Sequence, residues 1–173
     1  MQSLETKRMR LRPLLKSDVA NLMKIFSDPV AMEFYLGTKD EAEANAWIER
    51  SQKRYEEMGI GFLACELKET GEFLGICGLL LQPGINGRDE IEVGYLFVRK
   101  FWGQGFATEA ARACMDYGFH QKGYTRIISL IDPNNQKSIR VAERNGLKRE
   151  GKTIFKGREA AIYAVTFKGK KVV

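Results

Sequence analysis

Leu96-Phe97-Val98-Arg99-Lys100-Phe101-Trp102-Gly103-Gln104-Gly105-Phe106-Ala107-Thr108-Glu109-Ala110 runs from an apolar strand through a glycine turn into the start of a helix. That order of elements makes a phosphate cradle. Gly103 and Gly105 let the backbone approach a ligand, and the first amides of the following helix have no intrahelical acceptors, so they point at an anion seated there. An ordinary tight strand-to-helix turn has the same local pattern, so the surrounding sequence has to decide. A Walker loop needs Lys followed by Ser or Thr after its last glycine, and Ala107-Thr108 offers no lysine for the β- and γ-phosphates, which argues against ATP. A dinucleotide fingerprint needs a third glycine where Thr108 stands, and it normally opens its fold instead of following about a hundred residues of other structure. Asp132, after the next strand, could mimic the ribose acid of such a fold, and that reading ranks low.

Two further elements lie on either side. Asp132-Pro133-Asn134-Asn135-Gln136-Lys137-Ser138 is followed by Val141-Ala142-Glu143-Arg144-Asn145-Gly146-Leu147, and near the N-terminus stands Arg8-Met9-Arg10-Leu11-Arg12-Pro13-Leu14, with Asp18 a few residues on. With these three elements in this order, the chain resembles the GNAT N-acetyltransferases over nearly its whole length. In that family a strand leads into Gln or Arg, two residues, Gly, one residue, then Gly or Ala at the start of a helix. Gly105 and Ala107 fit the pattern, and Trp102 occupies the Gln/Arg position. The second element is similar to the family's strand, Asn-x-x-Ser turn, short helix and terminal Gly-Phe-type step. The opening element resembles the branch that acetylates the N-termini of ribosomal proteins. The resemblance implies an α/β fold with a mixed, mostly antiparallel central sheet flanked by about four helices. It also implies acetyl-coenzyme A as the acetyl donor and a primary amine as acceptor; no metal is expected, because the single His120 cannot supply a metal cluster and the cysteines lack metal-ligand spacing.

Composition agrees with a small enzyme. A chain of 173 residues with 44% apolar content is long enough for one sizeable core and short for two, so a single domain over 1–173 is expected. No apolar run approaches the about 20 residues of a membrane span, and the N-terminus lacks a secretory apolar segment, which points to the cytosol. Cys65, Cys77 and Cys114 sit inside apolar patterns without metal-ligand spacing and read as buried free thiols. The single His120 falls near the C-terminal end of a helix, where positive charge is tolerated. Charge is uneven: residues 1–98 carry a net −4 and residues 99–173 a net +10. The basic half contains both proposed cofactor turns, so its field would assist capture of the coenzyme's phosphates. A pI near 9.2 also suits a nucleic-acid surface, but the basic residues are scattered, and Lys168-Gly169-Lys170-Lys171 reads as a solvated tail. Direct nucleic-acid binding is therefore not expected, whereas proximity to the ribosome is compatible with the charge. The sequence leaves the chain a monomer or a homodimer.

A pass along the chain supports a sheet of mixed order. Residues 7–13 read as a strand, Ser17 or Asp18 as the cap of a helix ending before Asp28-Pro29, and 40–58 as a helix with Ala44, Trp47, Ile48, Ser51 and Tyr55 on one face, stopped by Gly59. Strands over 61–67 and 73–81 are joined at Glu69-Thr70-Gly71-Glu72, and a loop over 82–88 leads to a strand over 90–98. A helix over 105–121 buries Phe106, Ala110, Ala113, Cys114 and Tyr117. A strand over 126–131, a helix over 136–145, and a hairpin of 148–156 and 159–167 turning at Lys156-Gly157-Arg158 complete the chain. Alternation on the strand 90–98 puts Ile91, Val93, Tyr95 and Phe97 on one face and Glu90, Glu92, Gly94, Leu96 and Val98 on the other.

The resemblance implies that this strand splays from its neighbour and offers backbone groups at Leu96, Phe97 and Val98 to the pantetheine arm and thioester. Trp102, Gly103, Gln104, Gly105, Phe106, Ala107 and Thr108 would form the cradle, and Asn135 would hydrogen-bond the pantetheine or simply stabilise its turn. Trp102 stacks on the adenine, packs into the core, or only fills its position. A protonated amine has no lone pair, so a carboxylate or water chain must take a proton before attack. Glu92 is the candidate base and Glu90 the second, against the alternative of solvated or ion-paired strand residues. Ala142 stands where many relatives carry the tyrosine that protonates the leaving thiolate. Ser138 is the substitute donor, with a plain helix N-cap as its other reading. The expected reaction is direct acetyl transfer to a protein α-amino group, in the manner of the ribosomal-protein branch, or to a small amine. Glu33, Asp40, Glu41 and Glu43 either attract a cationic acceptor or form a solvated face. The rival is a non-catalytic acyl-coenzyme A sensor or interaction module, in which the cradle would look the same.

Overall fold

The computed structural model describes residues 3–169; Met1, Gln2 and residues 170–173, with Lys170 and Lys171 of the basic tail, lie outside the described residues. In chain order the elements are β1 (Leu4–Glu5), β2 (Met9–Pro13), α1 (Val19–Phe26), α2 (Glu41–Met58), β3 (Phe62–Leu67), β4 (Phe73–Ile85), β5 (Arg88–Phe97), α3 (Phe106–His120), β6 (Arg126–Ile131), α4 (Gln136–Arg144), β7 (Lys148–Phe155) and β8 (Arg158–Thr166). The eight strands form one sheet in the order β1-β2-β3-β4-β5-β6-β8-β7. Only the central β5–β6 contact is parallel. A parallel neighbour cannot be reached by a hairpin, and the crossover is supplied by α3. This is the mixed, mostly antiparallel sheet with four helices that the sequence implies.

Strand periodicity divides the core into two layers. Phe62, Ala64, Ile76, Leu80 and Leu96 face α1 and α2, meeting Leu22, Phe26 and Ile48. Leu63, Cys65, Cys77, Leu79, Val93 and Phe97 face α3 and α4, meeting Ala110, Cys114 and Ala142. Burial on both faces explains the nearly continuous apolar run of β4. All three cysteines are buried free thiols, as the sequence suggests.

Helix α2 begins with a reciprocal cap: the Glu43 N–H donates to Asp40 Oδ1 (2.8 Å) and the Asp40 N–H to Glu43 Oε2 (2.9 Å). It stops at Gly59, which turns left-handed (φ 67°). Three expectations are corrected. The segment 82–88 is not a loop: β4 continues to Ile85 and turns directly into β5 through Asn86 (φ 46°) and Gly87 (φ 86°). Asn-Gly is the pair that tolerates two left-handed residues in a two-residue hairpin, so this turn carried a readable signal. The buried face of α3 is also rotated from the expected one. Ala111, Met115 and Gly118 are buried with Phe106, Ala110 and Cys114, while Ala113 and Tyr117 are only half-buried. Gly118 lies so close to the sheet that a Cβ there would come within 2.8 Å of Leu79 and 3.0 Å of Ile127. Finally, Asp18 does not cap α1 through its side chain but anchors Arg12 (2.8 and 2.9 Å). Burial works to raise the Asp18 pKa, yet Arg12 and the Leu15 amide outweigh it and hold the carboxyl below its ordinary value. Among the described residues no helix is long and apolar enough to cross a membrane.

Candidate active site

The centre of the sheet is split. The β5–β6 ladder has a single register, Glu92 opposite Ile128. The β6 amide that would continue it, Leu130 N–H, instead donates to the Glu92 carboxylate (3.3 Å). Backbone groups alternate sides along a strand. Val98 N–H donates to Leu74 O of β4 (2.9 Å), so Leu96 and Gly94 also turn toward β4, whereas Val93, Tyr95 and Phe97 turn toward the gap. Val93 O there accepts from Ser129 Oγ (3.2 Å) and Phe97 O from the Trp102 indole (2.8 Å). The N–H groups of Tyr95 and Phe97 are left facing the opening. Of the three strand residues singled out in the sequence, only Phe97 presents its amide to the gap; Leu96 and Val98 contribute side chains to the α1–α2 layer. Tyr95 was not singled out, although it shares Phe97's side of the alternation.

One end of the gap leads to the glycine turn. Gly103 (φ 76°) and Gly105 (φ 82°) are both left-handed, and Gly105 caps α3 without a side chain. The first intrahelical bond runs from Glu109 N–H to Gly105 O (3.0 Å), so the amides of Phe106, Ala107 and Thr108 open outward from the helix end. Arg8, just before β2, braces this turn. Its guanidinium donates to Glu109 Oε2 (2.7 Å) and Gln104 O (2.9 Å) and lies 4.1 Å from the Phe106 ring centroid. Burial works to raise the Glu109 pKa, but hydrogen bonds from Thr6 and Arg8 outweigh it and keep it ionised; paired with Arg8, its charge does not repel an anion at the helix end. Trp102 is half-buried, tied to Phe97 by its indole N–H, and carries Lys137 Nζ 4.3 Å from its ring.

Helix α4 supplies the other wall. Asn135 caps it, its side chain accepting from Ser138 N–H (3.2 Å). Ser138 Oγ donates to Tyr95 Oη (3.1 Å), and Tyr95 Oη donates to Ser138 O (2.9 Å). Ala142 is buried one turn further on, so the phenol beside this helix comes from β5. Burial raises the Tyr95 pKa, so it stays protonated at neutral pH.

A cleft of about 340 Å³ opens on the other face of β5 and reaches through the gap to Tyr95 and Ser138; it is walled by the α1–α2 loop, α2, β4, β5, β6, the start of α4 and the β7–β8 hairpin. Glu92 lies in its wall, 8% exposed. Burial raises its pKa above the usual glutamate value, opposed by the Gln82 amide, Leu130 N–H, Lys156 and Arg54. Tyr35 lines the same cleft, its hydroxyl pushed up to about 12 by burial and by Glu92. Glu90 is elsewhere: it is clasped by Arg88 (2.7 Å) and Arg126 (3.1 Å), away from the cleft. Of the acidic residues of the N-terminal half, Glu43 lines the cleft with its carboxylate committed to the α2 cap, and Asp40 and Glu41 belong to the start of that helix. Ser138, Tyr95 and Glu92 thus meet at the gap from opposite faces of the sheet.

Residues 8–148 match the family model described as an acetyltransferase (GNAT) domain. The chain is 43% identical to the uncharacterized protein YkkB of Bacillus subtilis (strain 168) over 162 residues, covering 92% of this chain and 93% of that protein. It is 33% identical to an uncharacterized N-acetyltransferase, p20, of Bacillus licheniformis over 153 residues, covering 87% and 85%. Among solved structures, an acetyltransferase from Agrobacterium tumefaciens str. C58 superposes with a TM-score of 0.85 at 28% identity, covering 96% of this chain and 95% of that one.

Proposed function

Because the chain belongs to the GNAT acetyltransferase family and is an acetyl-coenzyme A-dependent N-acetyltransferase, we propose that it moves the acetyl group directly to a primary amine held in the cleft against Glu92. The acceptor is the α-amino group of a protein N-terminus or a small-molecule amine, and the reaction takes place in the cytosol. The opening element, whose Arg8 and Arg12 are both engaged in structural pairs, resembles the ribosomal branch and favours the protein α-amino group.

The observation that carries this reading is the split between β5 and β6, with a raised-pKa carboxylate on one side and a hydroxyl pair on the other. The residues fit the donor. An uncapped helix end with two left-handed glycines suits a pyrophosphate, and free strand amides suit an amide-bearing arm. Acetyl-coenzyme A supplies an activated thioester. The amine nitrogen bonds to the acetyl carbon and the carbon–sulfur bond breaks. Glu92 accepts the proton the nitrogen must lose, directly or through water, and its raised pKa makes it a stronger base than an exposed glutamate. Tyr95 and Phe97 N–H are fixed donors for negative charge developing on the acetyl oxygen, a contribution often the largest in acyl transfer. Ser138 and Tyr95 act as one unit on the departing sulfur: Ser138 Oγ turns its proton to the sulfur as it takes the Tyr95 proton, so the Tyr95 phenol is the net proton source. Asn135 holds the turn that places Ser138.

Thiol release from acetyl-coenzyme A, followed across a panel of amines and peptides with free N-termini, tests the proposal. Acceptor-dependent release is the expected result. Tight cofactor binding by calorimetry with no release for any acceptor would favour the non-catalytic sensor instead.

A further inference from the structure

The cleft beside Glu92 holds charges of both signs, but they are not equally available. Each of its four carboxylates has a partner within the protein: Glu159 is ion-paired with Lys152 (2.9 Å), and Glu43, Asp132 and Glu92 accept hydrogen bonds from the α2 cap, from Asn134 (2.9 Å) and from Gln82 and Leu130. Its four cations, Lys39, Arg50, Lys156 and Arg158, form no salt bridge among the described residues. This contrasts with Arg8, Arg12, Arg88, Arg99 and Arg126, each of which has a carboxylate partner within 3.1 Å. The four cations come from three separate segments that the fold brings to one opening. Burial lowers the Lys156 pKa; Glu92 is the strongest charge it feels and opposes this, while Lys39, Arg50 and Arg54 lie near enough to add to the lowering.

The backbone adds a second sign. Lys156 occupies the first position of the β7–β8 turn in a left-handed conformation (φ 49°), followed by Gly157 (φ 77°). The equivalent place in the β4–β5 turn is taken by Asn86, a residue that adopts this conformation easily. A lysine there is held against its backbone preference, and such outliers gather where a side chain is used.

We infer that the acceptor carries an anionic group, a carboxylate or a phosphate-type oxyanion, near the reacting amine, and that Lys39, Arg50, Lys156 and Arg158 hold that group at the cleft. This rests on the acetyl-transfer reading and narrows its substrate: amino acids, aminophosphonates and peptides with acidic residues after a free N-terminus qualify, and polyamines do not. The surrounding cations also lower the pKa of a bound ammonium, which eases the proton loss that Glu92 has to accept.

Matched acceptors test it: an α-amino acid against its amide, aminomethylphosphonate against methylamine, and a peptide beginning Ser-Asp-Asp against one beginning Ser-Asn-Asn, with spermidine as the polycation. The anionic member of each pair should show kcat/KM higher by about tenfold or more. That ratio should shrink with added salt, collapse in Lys156→Gln and Arg50→Gln through a rise in KM, and persist in Lys156→Arg. The two small pairs against the peptide pair distinguish a free metabolite from a protein N-terminus. Equal rates within all pairs, or preference for spermidine, would overturn the inference while leaving acetyl transfer intact. If no acceptor of any charge is acetylated, the transferase reading fails on its own. The fluorescence of Trp47, which lines the cleft, then still decides the anion question by titration with an N-acetylamino acid and its amide; equal binding of the two overturns it.

Discussion

The two sides of the central split are built from different materials. The side proposed to hold the cofactor is mostly backbone: two left-handed glycines, a helix end with no side-chain cap, and the amides of Tyr95 and Phe97. The side proposed to hold the acceptor is mostly side chain, with Glu92, Tyr35 and cations drawn from residues 39, 50, 156 and 158. Backbone donors serve a ligand that does not vary and can be specified by one short stretch of sequence. Side chains from distant segments suit a ligand that has to be told apart from others, and each can change without disturbing the sheet. Substitutions on the two sides should therefore fail differently.

The largest effect is expected at Glu92. Glu92→Gln should lower kcat/KM for the acceptor by about 10²–10⁴-fold with coenzyme A affinity unchanged by calorimetry. Its effect on stability has the opposite sign. The folded state raises the Glu92 pKa, so it binds this proton more tightly than the unfolded chain does, and the ionised carboxylate costs stability as the pH climbs past the ordinary glutamate range. At neutral pH the variant should be as stable as the parent or more so, read by thermal unfolding. In the parent, kcat/KM should rise with pH through a pKa above the ordinary glutamate value, and Glu92→Gln should lose that limb.

Next come the hydroxyls that join the two sides. Tyr95→Phe and Ser138→Ala should each reduce kcat by about ten- to a hundredfold, without the loss of acceptor selectivity expected at Lys156. A double variant no worse than the poorer single would show that the pair acts as one unit. On the cofactor side, Gly105→Ala puts a Cβ at φ 82° and 3.4 Å from Arg8, an arrangement costing about 1–2 kcal/mol. The KM for acetyl-coenzyme A should rise several-fold while acceptor selectivity stays. The smallest catalytic effect is expected at Gly118→Ala, which crowds Leu79 and Ile127 and should cost about 1–3 kcal/mol of stability with little change in rate per folded molecule.

The same contrast explains what could be read before the fold was known. The strand, glycine turn and helix start of 96–110 are legible because they form one continuous stretch whose glycines have a local reason. The strand faces were legible because alternation on β5 needs no partner, and it correctly separated Glu92 and Leu96 from Tyr95 and Phe97. The placement of Tyr95 beside Ser138 was not legible, since the residues are 43 apart and meet only when α4 packs on the sheet. The rotation of the α3 face followed from Gly118, whose missing Cβ lets the helix sit close to β4 and β6, so that Ala111 and Met115 turn inward. The basic opening is not legible because its members are scattered along the chain, whereas the acids of the N-terminal half stand close together in sequence although Glu43 is committed to a helix cap.

The most direct test is a crystal structure with coenzyme A and the acetylated product of whichever acceptor the assay identifies. The pantetheine should lie in the gap between β5 and β6, accepting from Tyr95 or Phe97 N–H, with the pyrophosphate at the start of α3 and the acetamide nitrogen within hydrogen-bond or one-water reach of Glu92. A coenzyme bound elsewhere with the two strands still apart, or a product on the far side of the sheet from Glu92, would contradict the account.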